Sequence, residues 1–336
     1  MLEKNIILFL LIFFLNIFFY FFNNSFAKIF NIYDSSDNKR KIHKKKVPIT
    51  GGIFIYLNIL LLFIFRDNIL LYSSKTLFLS SGNFLIFFII LTSIFLVGLI
   101  DDKFSISANL KLALISILIF LILYDHKEYL IHFLRFKSLD LDLNIYSFRY
   151  LFTILCFLCF INAVNMFDGI NAQAGLYFIF LSIYLIIVSG PNLLLFFIIF
   201  LLIIFLSQNI RSKSFLGDGG VFLLSIIFAC LIIENYKSKT LLVDQIFLMM
   251  LIPGIDMIRL VFHRIKNKKH PFEADSLHIH HFLLRKYSYL SCVLISFMLI
   301  VIPNFLALYF NNYIFFILFT LISYFYLLNH INVFKK

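Results

Sequence analysis

Long apolar runs broken by short polar stretches fill the chain from end to end. A helix needs about 20 mostly apolar residues to cross the hydrocarbon of a bilayer. Eleven runs approach that length, near 4–22, 49–66, 84–101, 109–125, 148–164, 174–190, 192–208, 219–235, 241–262, 288–309 and 312–329. The pattern predicts an all-α fold, a polytopic integral membrane helical bundle of about eleven transmembrane helices. Ten is the alternative count, with the hairpin at 174–208 as the pair in question. The remaining segments are short loops. A single membrane domain over 1–336 is therefore expected, with its motif-bearing core at about 40–281.

Composition excludes a soluble reading. Of 336 residues, 62% are hydrophobic and 14% charged, with a mean hydropathy of +0.98. Ordinary globular chains are about 45–50% apolar and about 25% charged. The net charge of +12 fits basic loops at an anionic membrane face, which also draw in anionic substrates. There is no aromatic-basic motif for nucleic acid. Cys156 and Cys159 form a C-x-x-C pair inside an apolar run. With no second pair beside them they read as small packing residues rather than zinc ligands, and Cys230 and Cys292 stand alone.

Lysine and arginine concentrate on the cytoplasmic side of membrane proteins. Placing the N-terminus outside and the C-terminus in the cytoplasm puts most of the 29 basic residues in inner loops, including the cluster Lys39–Lys46 and the group from Arg259 to Lys269. Ser25-Phe26-Ala27 has the form of a signal-peptide cleavage site. Cleavage there would put the Lys28–Lys46 charges outside, and the preceding run is long for a signal core. The run is read as a retained span.

In that topology the costly polar residues gather at one face. Asp101 and Asp102 end the third span. Asn162, Asn165 and Asp168 end the fifth, Asn209 and Asp218 flank the next inner loop, and His278, His280 and His281 lie in the last large inner loop. Charges at membrane depth are functional candidates by default. The outer loop 125–147 carries acids but no constellation, and reads as solvated.

Each group has a structural reading beside a chemical one. Adjacent carboxylates at 101 and 102 suit Mg²⁺, which takes one or two carboxylates together with substrate phosphates; they also suit a solvated helix end. Lys111 could bind phosphate or anchor the interface. Asn162 and Asn165, spaced i, i+3, share a helix face that Asp168 extends, while Gly169 permits a turn; helix-end capping accounts for the same residues. In Gly217-Asp218-Gly219-Gly220 the acid could cap a helix or face a metal diphosphate with the exposed backbone N–H groups. The three histidines could bind a transition metal, donate to phosphate or ribose, or sit in a solvated basic loop.

Taken in order, these pieces resemble the polyprenyl-phosphate N-acetylhexosamine-1-phosphate transferase family. It includes the phospho-N-acetylmuramoyl-pentapeptide transferase of peptidoglycan synthesis and the undecaprenyl-phosphate N-acetylglucosamine-1-phosphate transferases. The resemblance runs from about Arg40 to His281. The family's basic element corresponds to Arg40, Lys41, His43, Pro48, Gly51 and Gly52; its D-D pair to Asp101-Asp102, with Lys111 downstream. Its N-A-x-N-x-x-D-G motif corresponds to Asn162, Ala163, Asn165, Asp168 and Gly169. Its N…F-x-G-D-x-G motif is Asn209, Phe215, Gly217, Asp218 and Gly220, and its P-x-x-D plus R element is Pro253, Asp256 and Arg264. The final P-F-x-x-D-x-x-H-x-H-H motif is Pro271, Phe272, Asp275, His278, His280 and His281, in a form closer to the N-acetylglucosamine branch. The chain departs from the family at Asn171-Ala172-Gln173, where D-G-L is usual, and at Val221, where the family has Ser. These changes bear on sugar specificity and on whether the enzyme is impaired.

The resemblance implies Mg²⁺-dependent transfer of a sugar-1-phosphate, an N-acetylhexosamine-1-phosphate, from a UDP-sugar to undecaprenyl phosphate. UMP is released and cell-envelope glycan synthesis begins at the inner face of a bacterial plasma membrane. It makes Asp101, Asp102 and Asp168 the catalytic candidates, and Asp218 with Asp101 and Asp102 the metal candidates, for Mg²⁺ or Mn²⁺. Lys41, His43, Lys111, Asn162, Asn165, Asn171, Asn209, Arg264, His278, His280 and His281 become the substrate-binding candidates. The implied partners are undecaprenyl phosphate, a UDP-N-acetylhexosamine and membrane lipids, with a homodimer as a candidate assembly and no nucleic acid. A lipid-glycan flippase is the competing class, but its charges should lie near mid-membrane on several span interiors. A CDP-alcohol phosphotransferase would need Ala-Arg after an Asp-Gly pair, which Asp168-Gly169 lacks.

Overall fold

In the computed structural model the apolar runs are helices. The structure describes residues 2–34, 46–65, 84–271, 275 and 277–332. The described helices are α1 (Leu2–Phe30), α2 (Gly51–Ile64), α3 (Phe84–Phe104), α4 (Ala108–Asp125), α5 (Arg149–Phe167), α6 (Gln173–Ser189), α7 (Leu193–Asn209), α8 (Gly217–Lys237), α9 (Val243–Lys266), α10 (Ile279–Leu284), α11 (Tyr289–Phe310) and α12 (Tyr313–Asn332). Among the described residues, eight are long and apolar enough to cross a membrane, whereas α2, α6 and α7 are shorter apolar helices. The chain is an all-α polytopic membrane protein. Its large exposed side chains include Phe9, Phe14, Phe21, Leu85 and Ile322. Such faces are stable only against lipid, because water would leave their burial energy unrealised.

The run at 174–208 is two helices. Gly190 takes a left-handed φ of +93°, Pro191 follows it, and the Asn192 side chain accepts N–H bonds from Leu194 and Leu195 at 2.9 and 3.4 Å. A left-handed glycine ends one helix, and an asparagine cap opens the next.

Two small antiparallel pairings interrupt the helices. Strand β1 (Tyr33–Asp34) pairs with β2 (Val47–Pro48). Strand β3 (Phe133–Phe136) pairs with β4 (Leu141–Asn144) in the 125–147 loop. The second adds a hairpin to a segment read as a solvated loop, and its strands are largely exposed. Asp140, at φ +48°, turns the hairpin. The hairpin is tied down by the Tyr236 hydroxyl donating to the Phe133 carbonyl at 2.7 Å and by the Lys137 N–H donating to Asp244 at 2.8 Å. Strands of four residues are too short for their alternation to stand out in the sequence.

The chain divides into two compact units, Met1–Glu128 with Ser182–Leu231, and Tyr129–Leu181 with Ile232–Lys336. In the first, α3 packs along α4, and α1, α2 and α7 pack on one another. A buried amide pair, Asn16 to Asn58 at 3.1 Å, links α1 to α2. In the second, α9 is the hub, packing on α5, α11 and α12.

Candidate active site

The first unit gathers four of the sequence-nominated side chains. Both Asp101 and Asp102 lie in the last turn of α3, Lys111 in the first turn of α4, and Asp218 in the first turn of α8. The ammonium of Lys111 sits between two carboxylates, 2.7 Å from Asp101 Oδ2 and 3.0 Å from Asp218 Oδ2. Its Nζ also stands 5.6 Å from the centroid of the Phe222 ring. Charged pairs this short and partly buried are strong in both senses: the contact is favourable, and losing one partner leaves an uncompensated charge.

Asp102 has a different task. Its Oδ1 accepts the Asp218 N–H at 2.8 Å, and its Oδ2 accepts the Gly219 N–H at 3.2 Å. The first N–H groups of a helix have no partner within the helix, and a carboxylate there also meets the positive end of the helix dipole. The end of α3 therefore caps α8, and this cap fixes the turn from which Asp218 projects. Asp101 Oδ1 similarly holds the Ile106 N–H at 2.7 Å, fixing the turn between α3 and α4.

Glycines make this approach possible. A Cβ on Gly98 would lie 2.5 Å from the Gly219 nitrogen and 2.7 Å from the Asp218 carbonyl carbon. A Cβ on Gly52 would lie 2.5 Å from the Gly220 nitrogen. Backbone meets backbone at both places. The segment before Asp218 is zipped to the Gly pair by Phe215 N to Pro48 O at 2.8 Å, Gly51 N to Phe215 O at 2.9 Å and Gly52 N to Leu216 O at 3.0 Å. Gly217 also needs its freedom, with φ +72°.

Asn209 belongs to the same loop. Its amide donates to the Ser214 carbonyl at 2.9 Å, and Thr50 Oγ1 lies 3.0 Å from Ser214 Oγ. The structure thus gives Asn209 a turn-bracing contact. Arg40, Lys41, His43 and Phe272 lie outside the described residues.

The second unit gathers the rest. Asn162 bonds back to the Leu158 carbonyl at 2.7 Å. Asn162, Asn165 and Asp168 are half-buried at the end of α5, with Asp168 just beyond the last helical residue. The Asn171 carbonyl accepts the Tyr289 hydroxyl at 2.7 Å. Ala172 keeps a left-handed φ of +67° without being glycine, a conformation that costs an L-residue about 1–2 kcal/mol. Gln173 is buried, and neither atom of its amide is bonded within the described structure.

The histidine loop is packed, not loose. His278 and His280 stack with centroids 5.2 Å apart and planes 8° apart, and His281 lies 4.5 Å from His280. A Cβ on Gly169 would overlap the His280 ring, so this glycine is required by a close approach. His280 is buried, and neither ring nitrogen has a hydrogen-bond partner among the described residues. Arg264, also buried, donates Nε to Asp275 at 2.7 Å and Nη1 to the Pro271 carbonyl at 2.7 Å, so it shapes the loop. Asp256 accepts from Arg259, Tyr324 and His278. Arg259 counted in the sequence only as topological charge and Tyr324 not at all, although the i, i+3 spacing of Asp256 and Arg259 was readable.

Burial holds His280 well below the usual imidazole range. Burial alone would raise Asp275, but the Arg264 guanidinium and the Leu277 N–H outweigh it and hold the carboxyl below its usual range. The unfolded chain protonates His280 below about pH 6.5, while the folded chain resists. This contribution is full above that pH and is lost as pH falls below it. Asp275 works in the same direction only below the ordinary carboxylate range. The thermal midpoint of the purified protein is expected to fall between pH 7 and pH 5, and His280→Asn to flatten that slope. An unchanged slope in the variant overturns the assignment.

The donor set bears on the metal. Among the described residues no group of three or more His, Cys, Asp or Glu side chains could hold a metal ion by itself. The carboxylates of Asp101 and Asp218, meeting at one cationic point, fit a hard cation that takes its other ligands from substrate phosphates. The two oxygens of Asp102 are already engaged by α8.

Residues 84–235, which contain this carboxylate cluster, match the model for Glycosyl transferase family 4. The chain is 27% identical over 281 residues to the undecaprenyl-phosphate alpha-N-acetylglucosaminyl 1-phosphate transferase of Escherichia coli K12, covering 80% of this chain and 73% of that protein. It is 27% identical over 264 residues to the Thermotoga maritima protein of the same name, covering 78% and 76%. It is 26% identical over 261 residues to that of Salmonella typhi, covering 74% and 68%. The family match thus covers the segment that carries Asp101, Asp102, Lys111 and Asp218.

Proposed function

We propose that this glycosyl-1-phosphate transferase moves N-acetylhexosamine-1-phosphate from its UDP-sugar to undecaprenyl phosphate at the cytoplasmic face of a bacterial inner membrane. The observation that carries the reading is the meeting of Asp101 and Asp218 at Lys111, inside the family 4 segment. N-acetylglucosamine-1-phosphate is the first donor group to test, because the relatives are named for it. The topology belongs to the same proposal: eleven spans, N-terminus outside, C-terminus inside.

An oxygen of the lipid phosphate attacks the β-phosphorus of the donor. A new P–O bond forms, and the bond from that phosphorus to the UMP oxygen breaks. Two anions must meet and negative charge must leave, so the chemistry is chiefly positioning and charge compensation. Mg²⁺, when bound, would offset the charge that builds on the diphosphate and the leaving UMP. Asp218 and Asp101 are assigned to hold it. The Lys111 ammonium keeps the two carboxylates together and is within reach of phosphate oxygens entering between them. Asp102 acts through α8, holding Asp218 in place.

Asn165, Asp168 and Asn171 are assigned to the nucleotide, and His278, His280 and His281 to the donor's diphosphate and sugar. Arg264 and Asn209 brace their loops. Lys41 and His43 are assigned to the phosphate substrates on the resemblance alone.

The test is direct. Protein purified into nanodiscs is incubated with undecaprenyl phosphate, Mg²⁺ and a panel of UDP-sugars, and UMP is followed by mass spectrometry. UMP and a lipid-linked sugar diphosphate of matching mass are expected with a UDP-N-acetylhexosamine. Absence of both with every donor overturns the reading.

A further inference from the structure

In the second unit, three side chains and one backbone N–H from three separate stretches of the chain converge on one buried carboxylate. Asp256 of α9 is 3% exposed. Its Oδ1 accepts three donors: Tyr324 Oη of α12 at 2.6 Å, Arg259 Nη2 at 2.8 Å and the Ile279 backbone N–H at 3.3 Å. Its Oδ2 faces His278 Nδ1 at 2.9 Å. Arg259 also donates Nε to the Tyr324 oxygen at 2.9 Å and Nη2 to the Leu277 carbonyl at 2.6 Å. The tyrosine thus accepts from arginine and donates to aspartate.

The donor and acceptor roles are forced. An ionised carboxylate only accepts, so His278 Nδ1 carries the proton. In a neutral ring with Nδ1 protonated, Nε2 holds a lone pair. No protein group among the described residues bonds that nitrogen.

We propose that Asp256, clamped by Arg259 and Tyr324, is a positioning residue that fixes His278 as its Nδ1–H tautomer and presents the Nε2 lone pair to a hydroxyl of the sugar-nucleotide donor. That His278 meets the donor rests on the transfer reading above. The brace itself stands on the geometry. An acceptor at this point takes a proton-bearing group such as a sugar hydroxyl, since an ionised phosphate oxygen has no proton to give.

Asp256→Asn tests the brace sharply. Three donors still converge at the Oδ1 position and hold the amide oxygen there. The amide nitrogen must then face His278, and it donates. Nδ1 becomes the acceptor and the proton moves to Nε2, which turns the lone pair into a donor. The fold keeps its shape while the ring reverses its polarity, as when the aspartate of a serine-protease triad is replaced by asparagine.

The experiment uses the full chain in lipid with ¹⁵N-histidine, His278 being identified by the signal lost in His278→Gln. The wild type is expected to show Nδ1 protonated and Nε2 bare, and Asp256→Asn the reverse. Asp256→Asn should lose roughly 10–100-fold in kcat/KM for the UDP-sugar, the scale of one charge-assisted hydrogen bond. The KM for undecaprenyl phosphate should stay unchanged. Tyr324→Phe keeps the ring and removes one bond, and should lose roughly 2–10-fold.

A wild-type spectrum with the proton on Nε2 overturns the proposal, and this readout needs no variant to fold. The same tautomer in wild type and Asp256→Asn overturns it too, as does an equal loss toward both substrates. If the wild type shows the expected tautomer but makes no product from any donor, the transfer reading fails and the brace stands.

Discussion

Asp218→Asn is expected to abolish Mg²⁺-dependent release of UMP, with a fall in kcat of about 10²–10³-fold or more, the scale of removing one preorganised charge-stabilising group. The substitution is nearly isosteric and leaves the backbone N–H bonds to Asp102 in place, so α8 still starts where it did. What changes is charge. Lys111 would face one carboxylate instead of two, and one of the two carboxylates proposed to hold the cation would lose its charge. Asp101→Asn should fall on the same scale. It can still accept the Ile106 N–H, but it gives up the negative charge opposite Asp218. The measurement is UMP formation by mass spectrometry at saturating Mg²⁺, with gel-filtration profiles in detergent to show that both variants are folded. Wild-type rates in both would remove the carboxylate pair from the reaction.

The second large effect comes from an atom that does no chemistry. Gly98→Ala puts a methyl group against the backbone of Asp218 and Gly219, with the nearest approach at 2.5 Å. Backbone cannot swing aside as a flexible side chain can. The ends of α3 and α8 must separate, and the carboxylates on them separate too. A displacement of about 1 Å at a reacting centre costs on the order of 10²-fold in rate. Gly98→Ala is expected to lose at least that much, and Gly98→Val to fail to give folded protein. Gly254→Ala is the control, because a Cβ there meets nothing within 4 Å. Full activity in Gly98→Ala would mean that the contact between α3 and α8 does not set the site.

The helices were legible because lipid leaves one solution for long apolar runs: helices that satisfy their own backbone. The carboxylate cluster was legible as a set of motifs in order, since Asp101, Asp102, Lys111 and Asp218 stand at span ends where a charge needs a reason. The division of labour among them was not. Nothing in the sequence distinguishes Asp101, which meets the lysine, from Asp102, which caps a helix formed 116 residues later. The role of the glycines was half legible. Gly51 and Gly52 were noticed as a pair, but the partner they approach follows only from the packing of α2 on the loop before α8. Tyr324 carried no signal at all, being one of 17 tyrosines in a run that reads as lipid-facing. The β3–β4 hairpin was missed because hydrophobic periodicity needs more than four residues to declare itself.

The cap that Asp102 places on α8 also orders biogenesis. The ribosome delivers the end of α3 long before the residues of α8 emerge, so the carboxylate that will hold the Asp218 and Gly219 amides must wait at the membrane surface without them. A nascent chain arrested before residue 217 has Lys111 to pair with Asp101 but lacks the amides that engage Asp102, leaving that acidic edge open. Closure of that edge makes docking of the Pro48–Gly52 and Phe215–Gly219 segments a late step in maturation.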